Sequence, residues 1–166
     1  STQMDSGIPE SSRDATVRFH YNDLESLSAV LAAADVACVI LEAATATAEP
    51  EPGYLEGVRR LCDQHGSLLI LDEMITGFRW SEHGAAHLYG VTPDLSTWGK
   101  AMGNGFPISA LAGKRELMEL GGLRTDRERV FLLSSTHGAE VGGLAAFRAV
   151  VAAYRESDPI TTMERQ

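Results

Sequence analysis

The sequence predicts an α/β domain, and three observations carry that prediction. A continuous apolar run, residues 36–41, and the stretch Ser67 to Leu71, apolar after its serine, read as strands buried on both faces. Between them lies an amphipathic stretch, Tyr54 to His65, with Leu55, Val58, Leu61 and Cys62 at helical spacing. Strand, helix and strand in that order make a βαβ unit with parallel pairing and a right-handed crossover. The balance of 44% hydrophobic and 22% charged residues over 166 positions is that of a globular chain with its own core.

The elements follow in order. Residues 1–18 are polar and turn-rich, a loop or entering segment. Asn22 or Asp23 is a good N-cap, and Leu24, Leu27, Val30 and Leu31 continue as a helix to residue 34. A loop rich in Thr, Glu and Pro fills 43–52. The helix from Tyr54 stops at Gly66, a C-cap residue, and the second strand delivers Asp72 and Glu73 at its carboxyl end. Residues 76–104 are dense in glycine and polar side chains, with a short helix expected at 85–89. A strand is expected at 109–112, a short helix at 116–120, a charged surface loop at 124–129 and a strand at 130–133. An Ala-rich helix closes the series at 140–154, with Val141, Leu144, Phe147, Val150 and Val151 in step.

Charge and cysteine usage exclude several functions. A net charge of −9 without a Lys/Arg run argues against nucleic-acid and anionic-membrane partners, which need clustered cations. No apolar run approaches the ~18 residues of a membrane span. Cys38 and Cys62 lie far apart with no CxxC spacing, so neither a zinc site nor a disulfide framework is expected. His20, His65, His83, His87 and His137 show no ligand spacing, and no metal is expected. These readings describe a soluble, reduced, cytoplasmic protein.

Three places could carry chemistry. Asp72 and Glu73 stand at a strand's carboxyl end, where α/β sheets bind ligands; a helix cap or a solvated strand end is the alternative. Gly77, shortly after, marks a tight turn or a close approach. Lys100 sits among Gly99, Gly103 and Gly105 with little charge nearby. If desolvated, its amine would act as nucleophile or base; if solvated, it is a surface lysine. Ser134, Ser135, Thr136, His137 and Gly138 precede the last helix, as an anion cradle or an ordinary N-cap. An acid at a strand end, a sheltered lysine and an anion cradle together suit pyridoxal phosphate.

The string from Leu68 through Asp72-Glu73-Met74-Ile75-Thr76-Gly77-Phe78-Arg79 resembles the strand-end signature of class III (omega-type) pyridoxal-phosphate aminotransferases. The branch it is most similar to is that of glutamate-1-semialdehyde aminomutase. The segment from Tyr89 through Thr92-Pro93-Asp94 to Gly99-Lys100 is similar to the family's approach to its Schiff-base lysine, and Gly103, Gly105 and Pro107 continue it. The resemblance runs from about residue 36 to about residue 153.

The resemblance implies a fold-type I large domain, a three-layer α/β/α arrangement on a mostly parallel sheet, of which this chain is the middle part. It implies a cofactor-binding core at 19–155, with 156–166 leading out towards a small domain. It implies that Lys100 forms the Schiff base and shuttles the proton, and that Asp72 pairs with the pyridine nitrogen. Met74, where the family usually has Val, would pack on the ring. Thr136 would bind the cofactor phosphate of a neighbouring subunit, which implies a homodimer. Glu42 matches a strand-end glutamate near the substrate, although Ala43 replaces the usual proline; Arg79 and Trp80 would shape the entrance. The implied activity is amino-group transfer between an amino donor and a carbonyl acceptor. The alternatives are an intramolecular aminomutase and a non-catalytic module of the same fold.

Overall fold

The computed structural model describes residues 6–45, 47–121, 126, 128 and 140–165. Its centre is a four-stranded sheet of β1 (Cys38–Leu41), β2 (Leu68–Asp72), β3 (Leu95–Trp98) and β4 (Ala110–Gly113), in that spatial order. The first three strands are parallel and β4 is antiparallel to β3. Connections explain the directions. Helix α3 (Tyr54–His65) returns the chain between β1 and β2, and α4 (Gly84–Leu88) lies between β2 and β3. Only a short irregular stretch joins β3 to β4, so that pair is antiparallel. The fold is the α/β class with a mostly parallel sheet that the sequence predicts.

Helix α2 (Leu24–Ala33) begins at Asp23, whose side chain accepts the Ser26 N–H at 2.9 Å, which decides between the two N-cap candidates. Asn22 has another task. Its side chain donates to Glu49 O at 2.9 Å and accepts from Glu51 N at 3.0 Å, which fastens the following loop. Helix α3 closes at Gly66, whose φ of 70° is the left-handed cap conformation.

Leu27 and Leu31 of α2 and Leu55, Val58 and Cys62 of α3 meet Val39, Leu69 and Leu71 of the sheet, all at most 4% exposed. Each such aliphatic side chain contributes about 1.5–3 kcal/mol by leaving water. Burial also pushes the Cys62 thiol up to about 11, which leaves it protonated and inert at neutral pH. The strands are not buried on both faces as their composition suggests. Ile40 is 57% exposed beside the buried Val39, so β1 alternates. Among the described residues the helices of the core cover one face only.

Other elements differ in detail. The entering segment carries a one-turn helix, α1 (Glu10–Asp14), with no buried residue. Strand β3 was not expected; its two polar residues and its place inside a glycine-rich stretch hide it. The short helices appear as α4 and as α5 (Arg115–Met118). The last long helix is α6 (Val141–Glu156), with Glu140 as its N-cap, and α7 (Pro159–Glu164) follows. The loop expected at 124–129 (apart from positions 126 and 128) and the strand at 130–133 lie outside the described residues. Among the described residues no helix is long and apolar enough to cross a membrane.

Candidate active site at the carboxyl edge of the sheet

Because β1, β2 and β3 run parallel, their carboxyl ends share one edge. Glu42 follows β1, Asp72 closes β2 and Lys100 comes two residues after β3. Alternation along β2 then sends the neighbouring acids to opposite faces. Asp72, half-buried, shares its face with Thr97, its register partner on β3. One carboxylate oxygen, Oδ1, accepts both the Met74 N–H and the Thr97 hydroxyl, each at 2.9 Å. Among the described residues no hydrogen bond reaches Oδ2 and no cation pairs with Asp72.

Glu73 turns the other way and is fully buried. Its carboxylate accepts the Thr76 hydroxyl, the Ala85 N–H at 2.9 Å and the Ala86 N–H at 2.7 Å. Those amides open α4, so Glu73 is the helix cap that one reading of the acidic pair offered. Gly77 marks a close approach: a Cβ there would stand 2.6 Å from the Trp98 ring and 2.8 Å from Glu73 O.

Lys100 begins a 3-10 turn, Lys100–Met102, with φ at 47°. Phe78, in the loop after β2, has φ at 60°. Neither residue type favours the left-handed region, and each costs about 1–2 kcal/mol there. Two such residues in the loops beyond adjacent strand ends mark this edge as a place where stability yields to geometry. Phe78 is held by edge contacts to Trp98, Phe147 and Tyr154, with ring centres 6.0, 5.9 and 5.6 Å away. The Tyr154 hydroxyl also donates to Phe78 O.

Lys100 was expected to be sheltered, but among the described residues nothing covers it and it is exposed. The glycines allow close backbone approach instead of providing cover. At Gly99 a Cβ would lie 2.5 Å from Met74 Cε, so the thioether occupies the notch directly before Lys100. The structure thus joins Met74, Asp72 and Thr97 by contact, with Lys100 adjacent to Gly99. Glu42 stands apart on the same edge, half-buried and without a hydrogen bond among the described residues. Thr136, His137 and the rest of the expected anion cradle lie outside the described residues.

An open groove of about 540 Å³ lies elsewhere, lined by Glu56, Arg59, Arg60, Asp63 and Thr92 among others. None of the expected site residues lines it. Arg59 there is engaged by Asp63 at 2.7 Å and Asp94 at 2.8 Å, so its charge is already spent on architecture.

The model of the family described as aminotransferase class-III matches residues 4–163. The chain belongs to the class-III aminotransferases. A glutamate-1-semialdehyde 2,1-aminomutase of Nitratidesulfovibrio vulgaris (strain DP4) is 48% identical over 118 residues, 68% of this chain and 28% of that protein. A 3-aminobutyryl-CoA aminotransferase of Cloacimonas acidaminovorans (strain Evry) is 43% identical over 155 residues, 89% of this chain and 36% of that protein. A solved transaminase with PLP bound superposes with a TM-score of 0.82 at 28% identity, over 89% of this chain and 35% of its own. The chain therefore spans about a third of the length of these class-III relatives.

Two residues of this class-III chain were missed by sequence reasoning. Asp94, 2% exposed, ties four elements together. Its carboxylate accepts from Lys114 Nζ at 2.6 Å, from Leu69 N at 2.6 Å and from Arg59 at 2.8 Å. Burial pushes this carboxyl up, but Lys114, the Leu69 N–H and Arg59 outweigh it and hold it down at about 2. An acid directly after Pro93 was the only local signal available. Tyr21 is the second: its hydroxyl donates to Ala43 O at 2.8 Å, beside Glu42. Burial, with Tyr54, Tyr89, Glu49 and Glu42 nearby, raises it to about 12, so it stays a neutral donor. Its partner lies 22 positions away, which no local pattern reveals.

Proposed function

We propose that this chain is the pyridoxal-phosphate-binding core of an aminotransferase that moves an amino group from an amino donor to a carbonyl acceptor. The observation that carries the reading is the placement, at one sheet edge, of Asp72, one oxygen of which is unbonded among the described residues, and of Lys100, held in left-handed backbone next to Gly99, the residue that Met74 packs against. Membership of the class-III family and the likeness to a PLP-bound transaminase support it.

The residues fit that cofactor by their chemistry. A ring nitrogen carrying a proton needs an anionic acceptor, and Asp72 Oδ2, unbonded among the described residues, can be one. An aldehyde needs an amine, and the Lys100 amine is exposed with no ion pair among the described residues. A ring face needs an apolar neighbour, and the Met74 thioether supplies it. When bound, the cofactor contributes an aldehyde that takes up amino groups and a ring that withdraws electrons. Lys100 Nζ would hold the cofactor and serve as the base that moves the proton at the donor's α-carbon. Asp72 keeps the ring nitrogen protonated. Glu42, on the same edge, would lie near the substrate. As the resemblance implies, Thr136 would bind the cofactor phosphate of a neighbouring subunit, and a homodimer would be the working unit. Residues 1–18 enter, 19–155 form the core and 156–166 lead out. With the described Cys38 and Cys62 as free thiols, the compartment is the cytoplasm.

An aminomutase is the second reading, favoured by the 48% identity to a protein of that name. It uses the same residues, so product analysis separates the two. Transfer to an added keto acid supports the aminotransferase; migration of the amino group within one semialdehyde supports the mutase.

The reading is tested by adding pyridoxal phosphate to the chain, recording the visible spectrum, reducing with borohydride and mapping the peptides. A yellow band that becomes a mass tag on Lys100, absent in Lys100→Ala, is expected. No band and no tag would overturn the assignment.

A further inference from the structure

Thr97 lies in none of the roles assigned so far, yet it holds both residues of the acidic pair. Its carbonyl accepts the Glu73 N–H at 2.9 Å and its hydroxyl donates to Asp72 Oδ1 at 2.9 Å. The first bond is part of the backbone and indifferent to the side chain. The second exists only because residue 97 carries a hydroxyl. Asp72 and Thr97 are register partners on adjacent parallel strands, so the two side chains stand side by side on one face.

We infer that Thr97 is a positioning residue that aims the Asp72 carboxylate. With the Met74 N–H, the Thr97 hydroxyl places two donors on Oδ1, which fixes the carboxylate plane and leaves Oδ2 as the oxygen presented to a ligand. Either donor alone would leave the group free to rotate about its terminal torsion, which is broad for aspartate. A β-branched residue is suited to this task, because its χ1 is restricted and the hydroxyl is set before the ligand arrives. A polar side chain on this half-buried face would otherwise be costly, and here its hydrogen bond is made by the group it orients. The inference rests on the cofactor reading above, since it specifies what Oδ2 is aimed at: a protonated ring nitrogen.

The test compares two ligands that differ only at that nitrogen, pyridoxal phosphate and its deaza analogue, in which C–H replaces the ring nitrogen. Affinities are measured by calorimetric titration of the chain and of Thr97→Val, Thr97→Ala and Thr97→Ser. Thr97→Val is expected to weaken pyridoxal phosphate about tenfold, the size of one well-aimed charge-assisted bond, and to leave the analogue within about twofold. Thr97→Ser is expected to restore the difference between the ligands. Thr97→Ala repeats the loss of the hydroxyl with less bulk, in case the valine disturbs packing. Equal weakening of both ligands, or no change in either, would show that Thr97 serves only the sheet and overturn the inference. Equal affinity of the unsubstituted chain for the two ligands would remove Asp72 from the ring nitrogen, and the inference with it. Binding of neither ligand would overturn the cofactor reading itself.

Discussion

Two edges of the same sheet treat their carboxylates in opposite ways. At the amino edge, Asp94 opens β3 and engages Lys114, Arg59 and the Leu69 N–H. At the carboxyl edge, Asp72 closes β2 with both its donors on one oxygen. Glu73, its neighbour, resembles Asp94: it is buried and engaged on both oxygens. A carboxylate whose acceptor sites are filled by its own chain is architecture. One that keeps an oxygen open among the described residues, at the edge that also carries Lys100 in left-handed backbone, is available to a ligand. The acids are alike in composition, and partner geometry alone separates them.

Substitution should reproduce that division. The largest effect belongs to Glu73→Ala, which leaves the Thr76 hydroxyl and two helix amides without an acceptor. Buried unpaired donors cost about 1–3 kcal/mol each, so a loss of about 3–5 kcal/mol is expected in urea unfolding. A loss under about 1 kcal/mol would mean that water replaces the carboxylate.

Next comes Asp94→Asn, expected to cost about 2 kcal/mol, since the partners left behind are partly solvated. Asp72→Asn should cost under about 1 kcal/mol in the same assay while weakening pyridoxal phosphate. Equal stability losses in the two variants would erase the distinction between the edges.

Acid titration sharpens the same contrast. The native Asp94 carboxyl sits at about 2, against an ordinary 3.8. The unfolded chain therefore binds more protons between those values, and stability rises with pH there. The contribution is complete above about pH 4 and lost as pH falls through about 2. Asp94→Asn should flatten that limb of the stability curve, measured by circular dichroism. An unchanged limb would assign the acid sensitivity to other carboxylates.

The smallest effect has the opposite sign. Lys100→Gly removes the cost of a left-handed lysine and should stabilise the chain by about 0.5–1 kcal/mol, while abolishing the borohydride tag. A destabilised variant would show that the Lys100 side chain supports the fold.

Much of this was legible in the chain. The βαβ unit could be read from two apolar runs around one amphipathic helix, and the caps at Asp23 and Gly66 from residue type. Asp72 and Lys100 could be proposed as site candidates from their strings, and Met74 through the family resemblance. Strand β3 was not legible, because four residues with two polar members inside a glycine-rich stretch give no periodicity to read. The exposure of Ile40 and of Lys100 was not legible either. An apolar run shows what a strand can bury, and only neighbouring elements determine what it does bury.

The sequence by itself determined the βαβ unit, the helix caps and the inventory of candidate groups, because capping, helical period and strand composition act over a few residues. Only the tertiary structure decided the use of each acid. It turned Asp72 and Glu73 to opposite faces, brought Thr97 beside Asp72 from 25 positions away, and enlisted Asp94 to join helix and sheet. Hydrogen bonds are short-ranged and directional, so which oxygen is filled and which is left open depends on contacts made only when the strands align.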